Sequence, residues 1–406
     1  MSDVRHVDHL LLLVGSNPLP NYLSTLVLKP SCSVTLLYTG ETEEVMQRLK
    51  TAINSKGLDV QPQLIGNASD MGEIRRVLND LLQRLRERKG VVHLNYTGGT
   101  KVMAAHARMT FKEYFKEYEN KNENEDGRAS YLYERKGLLI FDDGYTLEVK
   151  GTRLTPDEIL TLHGVQKTSE TKDPDSDGKG LPTKADAHKV ASAVLAGETP
   201  ELAKKLYEIH RENKKRRPIS NAKADPVNLK ERFGLQLSVL LLPGEENWNR
   251  KRYEKWCEFL EGKWLEVWVG NLIKGLVDDG DSVHVGVNCQ RGERQFEVDL
   301  LFIREPRLYL VSCTTTTKIS LCKSKLFEVA LRARQLGGDL ARSALVCLLH
   351  GGDNRGLFID QLRLDIKDSW DAPNTPEVFG FDDLKAWAAP QGERDLGLLE
   401  TWLMDE

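Results

Sequence analysis

The sequence has few of the features that mark secreted, membrane-bound or strongly basic proteins. Its six cysteines include no C-x-x-C pair and have no histidine at zinc spacing, so we expect reduced thiols rather than disulfides or structural zinc. Its apolar runs are too short to span a bilayer and no signal peptide begins the chain, so we expect a cytoplasmic protein without a membrane partner. A net charge of −4 provides no overall positive field, so any contact with nucleic acid must use local patches.

The first 160 or so residues alternate between short apolar runs and segments with helical periodicity. A chain of 406 residues with 40% apolar residues is long enough for two domains with separate cores. Strands are expected near residues 8–15, 33–39, 60–65 and 91–96, and helices near residues 19–28, 41–56, 70–88 and 100–116. This alternation predicts an α/β domain in which helices cover both faces of a parallel sheet.

The most informative segment is Asn95-Tyr-Thr-Gly-Gly-Thr-Lys101, where a predicted buried strand meets a helix. Two adjacent glycines let the backbone present its N–H groups at a helix N-terminus, and two hydroxyls and one ammonium flank them. This combination suits a bound phosphate, although the glycines alone would also fit a plain turn. The segment is neither a Walker loop nor a dinucleotide-binding fingerprint, because the spacing of both motifs is absent.

A second strand-to-helix turn, Gly15-Ser-Asn-Pro18, follows the first apolar run. Pro18 or Pro20 fits the first turn of a helix, and Ser16 or Asn17 can cap that helix. In an open parallel sheet both turns would lie at the carboxyl ends of strands, where ligands bind.

Together, Val14-Gly-Ser-Asn-Pro18 and Asn95-Tyr-Thr-Gly-Gly-Thr-Lys101 resemble the CARF domain, a Rossmann-like sensor of CRISPR-associated ancillary proteins that binds cyclic oligoadenylate. The resemblance covers roughly residues 6 to 155. It implies a pocket shared by two copies of the domain and therefore a homodimer. Because four ring phosphates would match two symmetric turns, cyclic tetra-adenylate is the expected ligand. The pocket residues that the resemblance implies are Ser16, Asn17, Thr97, Gly98, Gly99, Thr100 and Lys101.

The pattern of predicted secondary structure changes after the alternating strands and helices of the first domain. Residues 131–141 and 145–149 are predicted to form antiparallel strands with tight turns, one of them at residues 142–144. Residues 119–127 are predicted to form an exposed loop. Residues 165 to about 185 have linker composition and are predicted to be mobile.

Helical stretches are expected next, near residues 184–197 and 200–212. Two basic runs lie at residues 214–217 and 250–252, the second near Trp248 and Trp256. They are either solvated surface or contacts to the phosphates of a nucleic acid.

The C-terminal region predicts the element order helix, antiparallel strands, helix, strand. The expected elements are a helix at 262–270, strands at 282–288, 295–303 and 307–313, a long helix at 319–336 and a strand at 343–349. The apolar face of the first helix consists of Trp256, Leu260, Trp264, Val267 and Leu272. Glu266 is expected to point from this helix toward the sheet.

This order, with Asp299 on the middle strand, resembles the PD-(D/E)XK nuclease domain that CRISPR ancillary nucleases carry behind a CARF domain. The resemblance implies a restriction-endonuclease-like α/β domain in which Asp299 and Glu266 hold Mg²⁺ or Mn²⁺ for cleavage of DNA or RNA. Taken separately, Asp299 also fits a solvated edge position, and Glu266 also fits a simple ion pair with Lys263.

The sequence departs from the nuclease pattern at the Glu-x-Lys motif. There it has Ser312-Cys-Thr314, and neither Ser312 nor Thr314 replaces a bridging carboxylate or an ammonium. Cys313 is a weak candidate nucleophile, because no histidine is fixed near it in sequence. The residues that could reach back into the site from the following segment are Lys318, Lys323, Lys325 and Glu328.

We therefore expect a CARF-like sensor at residues 1–160, a connecting segment at 161–245 and a PD-(D/E)XK nuclease-like domain at 246–406. The leading hypothesis is a type III CRISPR ancillary effector that binds cyclic oligoadenylate and thereby controls its nuclease-like domain in antiviral defence. One alternative is a catalytically dead domain that serves as a ligand-regulated platform for nucleic acid or protein. Another is a sensor that degrades its own ring by ribose 2′-hydroxyl attack, organised by Lys101 and the threonines without metal. A transcription factor ranks last, since residues 190–406 show no helix-turn-helix pattern.

Overall fold

The computed structural model describes residues 5–118, 128–171, 181–206, 250–277, 283–350, 358–370 and 374–404. These residues form two sheets covered by helices, so the predicted α/β class is confirmed. The predicted exposed loop at 119–127, the basic run at 214–217 and the predicted helical residues 207–212 lie outside the described residues. No helix in the described ranges is both long enough and apolar enough to cross a membrane.

The first sheet has the strand order β3-β2-β1-β4-β5-β6-β7. Its strands are β1 (His9–Leu13), β2 (Ser33–Tyr38), β3 (Asp59–Leu64), β4 (Val92–Asn95), β5 (Ala129–Tyr133), β6 (Leu138–Phe141) and β7 (Thr146–Glu148). The first five run parallel, and β6 and β7 are antiparallel to their neighbours. The helices are α1 (Leu19–Leu28), α2 (Glu43–Asn54), α3 (Met71–Arg88), α4 (Lys101–Tyr118) and α5 (Pro156–Leu162).

Local sequence explains why these elements form and where they end. All five residues of β1 are buried, as expected of a central parallel strand covered on both faces. Helix α3 begins after Asp70, whose carboxylate accepts hydrogen bonds from the N–H groups of Gly72 and Glu73. Because β1 and β4 are parallel neighbours, the turns that follow them lie at one edge of the sheet.

The predicted strand segment at residues 131–141 consists of two strands. A single turn of 3-10 helix, Glu134–Lys136, separates β5 from β6, and Gly137 ends it with a φ of +59°. β5 and β6 pair antiparallel, as do β6 and β7, which confirms the predicted antiparallel arrangement.

The second sheet has the strand order β13-β12-β11-β10-β9-β8. Its strands are β8 (Gln166–Ser169), β9 (His284–Arg291), β10 (Arg294–Arg304), β11 (Arg307–Thr314), β12 (Arg342–Cys347) and β13 (Glu377–Phe379). β11, β12 and β13 are parallel, whereas β8 to β11 pair antiparallel. The helices are α6 (Lys184–Leu195), α7 (Arg250–Glu258), α8 (Trp264–Lys274), α9 (Ile319–Gly337), α10 (Phe358–Ser369), α11 (Phe381–Ala388) and α12 (Gly397–Met404), and residues 201–206 are also helical.

The prediction of a mobile linker starting at residue 165 is wrong for its first residues. β8 is the edge strand of the second sheet and pairs with β9, Gln166 lying opposite Gln290. The polar composition of this segment led to the wrong prediction, because an edge strand that is only partly covered needs few apolar residues. Helix α6 then begins at the cap Thr183, as the helical pattern predicted.

The predicted apolar helix face in the C-terminal region is confirmed with one irregularity. One turn of π-helix, Phe259–Lys263, separates α7 from α8. Trp256, Leu260, Trp264 and Val267 are buried in one core cluster, and Leu272 packs against it while partly exposed.

The second sheet packs directly on the first domain. Leu301 and Ile303 of β10 belong to the same buried cluster as Leu10 and Leu12 of β1. Leu300, whose side chain alternates with that of Leu301, packs with the cluster that contains α8. A continuous apolar core therefore joins the two halves of the molecule.

Candidate functional site

The two predicted ligand turns touch each other through their backbones. Leu12 of β1 lies opposite Asn95 of β4, so the turns leave adjacent strands side by side. A Cβ atom built on Gly15 would lie 3.1 Å from the backbone nitrogen of Gly99. The structure thus brings the two turns into one candidate site at the carboxyl edge of the sheet.

Close packing explains the two adjacent glycines of the second turn. A Cβ on Gly98 would lie 2.0 Å from the carbonyl oxygen of Leu13, which leaves no space for any side chain. Gly99 has a φ of +75°, a region that other residues rarely adopt. Helix α4 begins immediately afterwards, at Lys101, and its first N–H groups have no partners within the helix.

The two threonine hydroxyls of this turn are occupied by the fold. The Thr97 hydroxyl donates to Oδ1 of Asn95 at 2.8 Å and accepts from the N–H of Leu132 at 2.7 Å. The Thr100 hydroxyl accepts from the N–H of Met103 at 3.1 Å and so caps α4. Both side chains shape the turn, which limits their freedom to bind a ligand directly.

Ser16, Thr100 and Lys101 are the exposed polar residues of the paired turns. Lys101 forms no ion pair with any residue in the described ranges. Asn17 is partly exposed, and its Oδ1 accepts a hydrogen bond from the N–H of Leu19 at 3.1 Å. An ammonium beside a helix N-terminus and a diglycine turn together suit an anionic ligand.

The Asn17 side chain also contacts the end of α9 in the second half of the molecule. A Cβ built on Gly338 would lie 2.2 Å from Nδ2 of Asn17 and 2.8 Å from Oε2 of Glu134. The same Glu134 oxygen accepts from the N–H of Asp339 at 3.2 Å. Burial, with the nearby Asp339 charge, raises the pKa of Glu134 to about 7. We name Asn17, Glu134 and Gly338 the turn–helix contact.

This contact could not be predicted from the sequence. Glu134 lies among charged residues, which is a pattern typical of an exposed segment, and 205 positions separate it from Asp339. Gly338 is the second glycine of a Leu-Gly-Gly segment, which is a common way for a helix to end.

Asp299 lies at the centre of the second candidate site. Its Oδ2 accepts a hydrogen bond from the Ser312 hydroxyl at 2.9 Å and another from the N–H of Cys313 at 2.7 Å. Burial raises the pKa of Asp299 above its ordinary value, although these hydrogen bonds and the charge of Lys325 oppose the increase. Asp299 is thus a fixed, largely buried carboxyl group with two hydrogen-bond donors and not a solvated edge residue.

Glu266 faces the same region from α8. Lys263 forms ion pairs with both neighbouring glutamates, its Nζ lying 2.9 Å from Oε2 of Glu266 and 2.7 Å from Oε1 of Glu297. Burial, and then the charge of Asp299, raise the pKa of Glu266 to about 8. Two acidic groups that disfavour each other's ionisation therefore share one site, a common feature of functional centres.

These groups line a cleft of about 860 Å³. Its charged lining includes Lys263, Glu266, Glu297, Asp299 and Lys325. The end of β8 forms part of the rim through Ser169, Glu170 and Thr171, so the chain leaving the first domain borders the cleft.

The structure distinguishes among the lysines that were candidates for reaching the site. Lys318 is exposed at the N-terminus of α9 and is absent from the lining of the cleft. Lys323 pairs with Asp365 at 3.0 Å. Lys325 lines the cleft, and with Glu328 it also lines an adjoining cavity of about 260 Å³.

The substituted motif residues have definite contacts. Ser312 donates its hydrogen bond to Asp299, and Thr314 lines the cleft. Burial raises the pKa of the Cys313 thiol well above its ordinary value, so this thiol stays protonated and is a poor nucleophile.

A divalent cation fits this site only if water and substrate complete its coordination shell. Among the described residues, no three His, Cys, Asp or Glu side chains are grouped to hold a metal ion. Two carboxyl groups nevertheless share the site, because Asp299 lies close enough to Glu266 to affect its ionisation, and Oε2 of Glu266 is held 2.9 Å from Nζ of Lys263. Mg²⁺ commonly uses one or two carboxylates and completes its shell with water and substrate phosphate. Asp299 and Glu266 fit a site of that kind.

Comparisons with known proteins bear on both halves of the chain. Residues 253–373 match the family model described as Card1-like, endonuclease domain. The match includes Glu266, Asp299 and Lys325. No curated protein matches the sequence.

Solved structures share the fold across nearly the whole chain. Protein VC1899 from Vibrio cholerae has a TM-score of 0.68 and 16% identity, with 98% of each chain covered. Can2 from Sulfobacillus thermosulfidooxidans, in complex with cyclic tetra-adenylate, has a TM-score of 0.67 and 16% identity, again with 98% of each chain covered. A type III CRISPR defence DNA nuclease activated by cyclic oligoadenylate has a TM-score of 0.52 and 20% identity, covering 91% of this chain and 53% of that one. The comparisons confirm the nuclease-like match of the C-terminal region and the fold that the resemblance implied.

Proposed function

We propose that the protein is a type III CRISPR ancillary effector in which cyclic oligoadenylate, bound at the paired turns, controls a metal-dependent nuclease-like domain in antiviral defence. The observation that carries the proposal is the turn–helix contact. Asn17 of a ligand turn meets Gly338 at one end of α9, and Lys325 of the same helix lines the carboxylate cleft. A rigid helix can transmit a displacement of the turn to the cleft.

The chemistry of the paired turns supports an anionic ring as the ligand. The close approach of Gly98 to the Leu13 carbonyl excludes a side chain at that position, so the backbone there is open to a ligand, and Lys101 adds an exposed ammonium. The Can2 complex contains cyclic tetra-adenylate, so we propose a ring of this size. Four phosphates are the number that two symmetric copies of such a site would use.

We further propose that two chains share one ring as a homodimer. Helix α4 begins at Lys101 and carries two exposed apolar side chains, Val102 and Met109, seven positions apart on one face. This apolar face adjoins the ligand turn and is suited to the same helix of a second copy.

The cleft supports phosphodiester hydrolysis of DNA or RNA as its reaction. Asp299 and Glu266 would hold Mg²⁺ or Mn²⁺, which when bound would supply positive charge to phosphoryl oxygens and acidify a water molecule. Burial and the charge of Asp299 raise the pKa of Glu266, and a bound cation would lower it again, so metal binding and ionisation of this carboxyl group would favour each other. Lys263 is already engaged by Glu266 and Glu297, so it organises the carboxylates.

A second function is favoured by one observation, the replacement of Glu-x-Lys by Ser312-Cys-Thr314. A hydroxyl supplies neither a bridging charge nor an ammonium. If no other group compensates, the cleft would bind nucleic acid or protein under control of the ring without cutting it.

One assay distinguishes these functions. Purified protein is incubated with cyclic tetra-adenylate, Mn²⁺ and either supercoiled plasmid or single-stranded RNA. The proposal expects cleavage that requires both the ring and the metal and that Asp299→Ala abolishes. Binding without cleavage would favour the platform, and loss of the ring in the presence of EDTA would identify the sensor as the enzyme.

A further inference from the structure

We propose that Lys325 of α9 is a catalytic residue that supplies the ammonium missing from position 314. The inference rests on the proposed nuclease function and deepens it. Its basis is that Lys325 and Asp299 line both the main cleft and the adjoining cavity, so the two groups face one space from a helix and a strand.

The phase of α9 explains how Lys325 reaches the site. Lys325, Glu328, Val329 and Arg332 follow the spacing i, i+3, i+4 and i+7, and all four line the adjoining cavity. One side of the helix therefore faces Asp299 along two turns. Lys325 is close enough to Asp299 for its positive charge to act on that carboxyl group.

Lys325 also has no competing partner. It forms no ion pair with the described residues, whereas Lys263 is held by two glutamates and Lys323 by Asp365. Lys318 is exposed at the start of α9 and does not line the cleft. Of the lysines in this region, Lys325 alone combines access to the cleft with a free ammonium group within the described structure.

The proposed step keeps Lys325 protonated throughout. A water oxygen forms a bond to phosphorus while the bond from phosphorus to the leaving ribose oxygen breaks, and the leaving oxygen takes the electron pair. The water proton passes to solvent, and solvent protonates the leaving oxygen. Lys325 donates hydrogen bonds to a non-bridging phosphate oxygen and stabilises the charge that develops there.

The test compares single lysine substitutions in the ring-activated nuclease assay. Lys325→Ala and Lys325→Gln should lower kcat by about 100-fold, the loss typical of removing one transition-state donor. Ring affinity, KM and the thermal unfolding midpoint should stay near wild type, because Lys325 forms no ion pair with the residues that the structure describes. Lys318→Ala, a lysine near the start of the same helix, is the matched control and should leave kcat within about twofold of wild type, as expected for a surface substitution.

A rescue variant makes the assignment specific. Lys325→Ala combined with Thr314→Lys restores an ammonium at the motif position. We expect the kcat of this double variant to be at least about tenfold higher than that of Lys325→Ala alone. Full activity in Lys325→Ala and Lys325→Gln would overturn the role of Lys325 while leaving the nuclease function intact. An equal loss in Lys318→Ala would also overturn it. A wild-type protein that cuts nothing would overturn the nuclease function and this role together.

Discussion

Replacing Gly338 with alanine should break the turn–helix contact. Gly338 has φ 63° and ψ −148°, near a region that only glycine adopts readily, so the backbone strain should cost about 1–3 kcal/mol. The new Cβ would lie 2.2 Å from Nδ2 of Asn17 and 2.8 Å from Oε2 of Glu134. Both side chains must move, and loss of the hydrogen bond from Asp339 to Glu134 adds about 1 kcal/mol.

We therefore expect Gly338→Ala to lower the free energy of unfolding by roughly 3 kcal/mol, measured by urea-induced unfolding. Gly292→Ala is the matched control, because Gly292 has φ +58° and a Cβ there would meet nothing within 4 Å. Its cost should stay near 1–2 kcal/mol, the strain of a left-handed residue. In the nuclease assay, Gly338→Ala should still bind the ring, but the ring should no longer stimulate cleavage. Equal destabilisation by the two substitutions, together with normal activation of Gly338→Ala, would refute the reasoning.

Three further predictions concern single side chains. The raised pKa of Glu134 means that its contribution to stability is fully present below about pH 4.5 and lost as the pH rises through about 7. Glu134→Gln should remove this pH dependence. In urea unfolding at pH 8 the variant should be more stable than wild type by at most about 3 kcal/mol. An unchanged pH profile would contradict the burial of this carboxyl group. Asp299→Asn should abolish cleavage without lowering the thermal unfolding midpoint, since it removes a buried charge but keeps a hydrogen-bond acceptor; preserved cleavage would exclude Asp299 from the site. Lys101→Ala should weaken ring binding in calorimetry by about tenfold or more. Lys116→Ala, at an exposed position near the end of the same helix, should not weaken it. Equal affinities of the two variants would argue against the ammonium contact.

Much of the first domain could be predicted because its strands and helices have strong periodicity. The four consecutive leucines of β1 and the six buried positions of α3 are local signals, and each led to the observed element. The turn at Gly98 was also readable, because two glycines between a strand and a helix require a special backbone. Periodicity of this kind needs no knowledge of distant contacts.

The remaining features depend on contacts between distant residues. β8 is polar, and its strand conformation comes from pairing with β9, more than a hundred positions later. The choice of Lys325 over Lys318 requires the phase of α9, which a sequence pattern fixes only within a few residues. Glu134 and Gly338 meet only because the two halves of the molecule pack on a common core.

The central claim is that the paired turns bind a cyclic oligoadenylate between two chains. Isothermal titration calorimetry of the full-length protein with cyclic tetra-adenylate tests it most directly. The account predicts saturable heat with one ring for every two chains and weaker binding by Lys101→Ala. Absence of heat with rings of three, four and six adenylates, or a stoichiometry of one ring per chain, would contradict it.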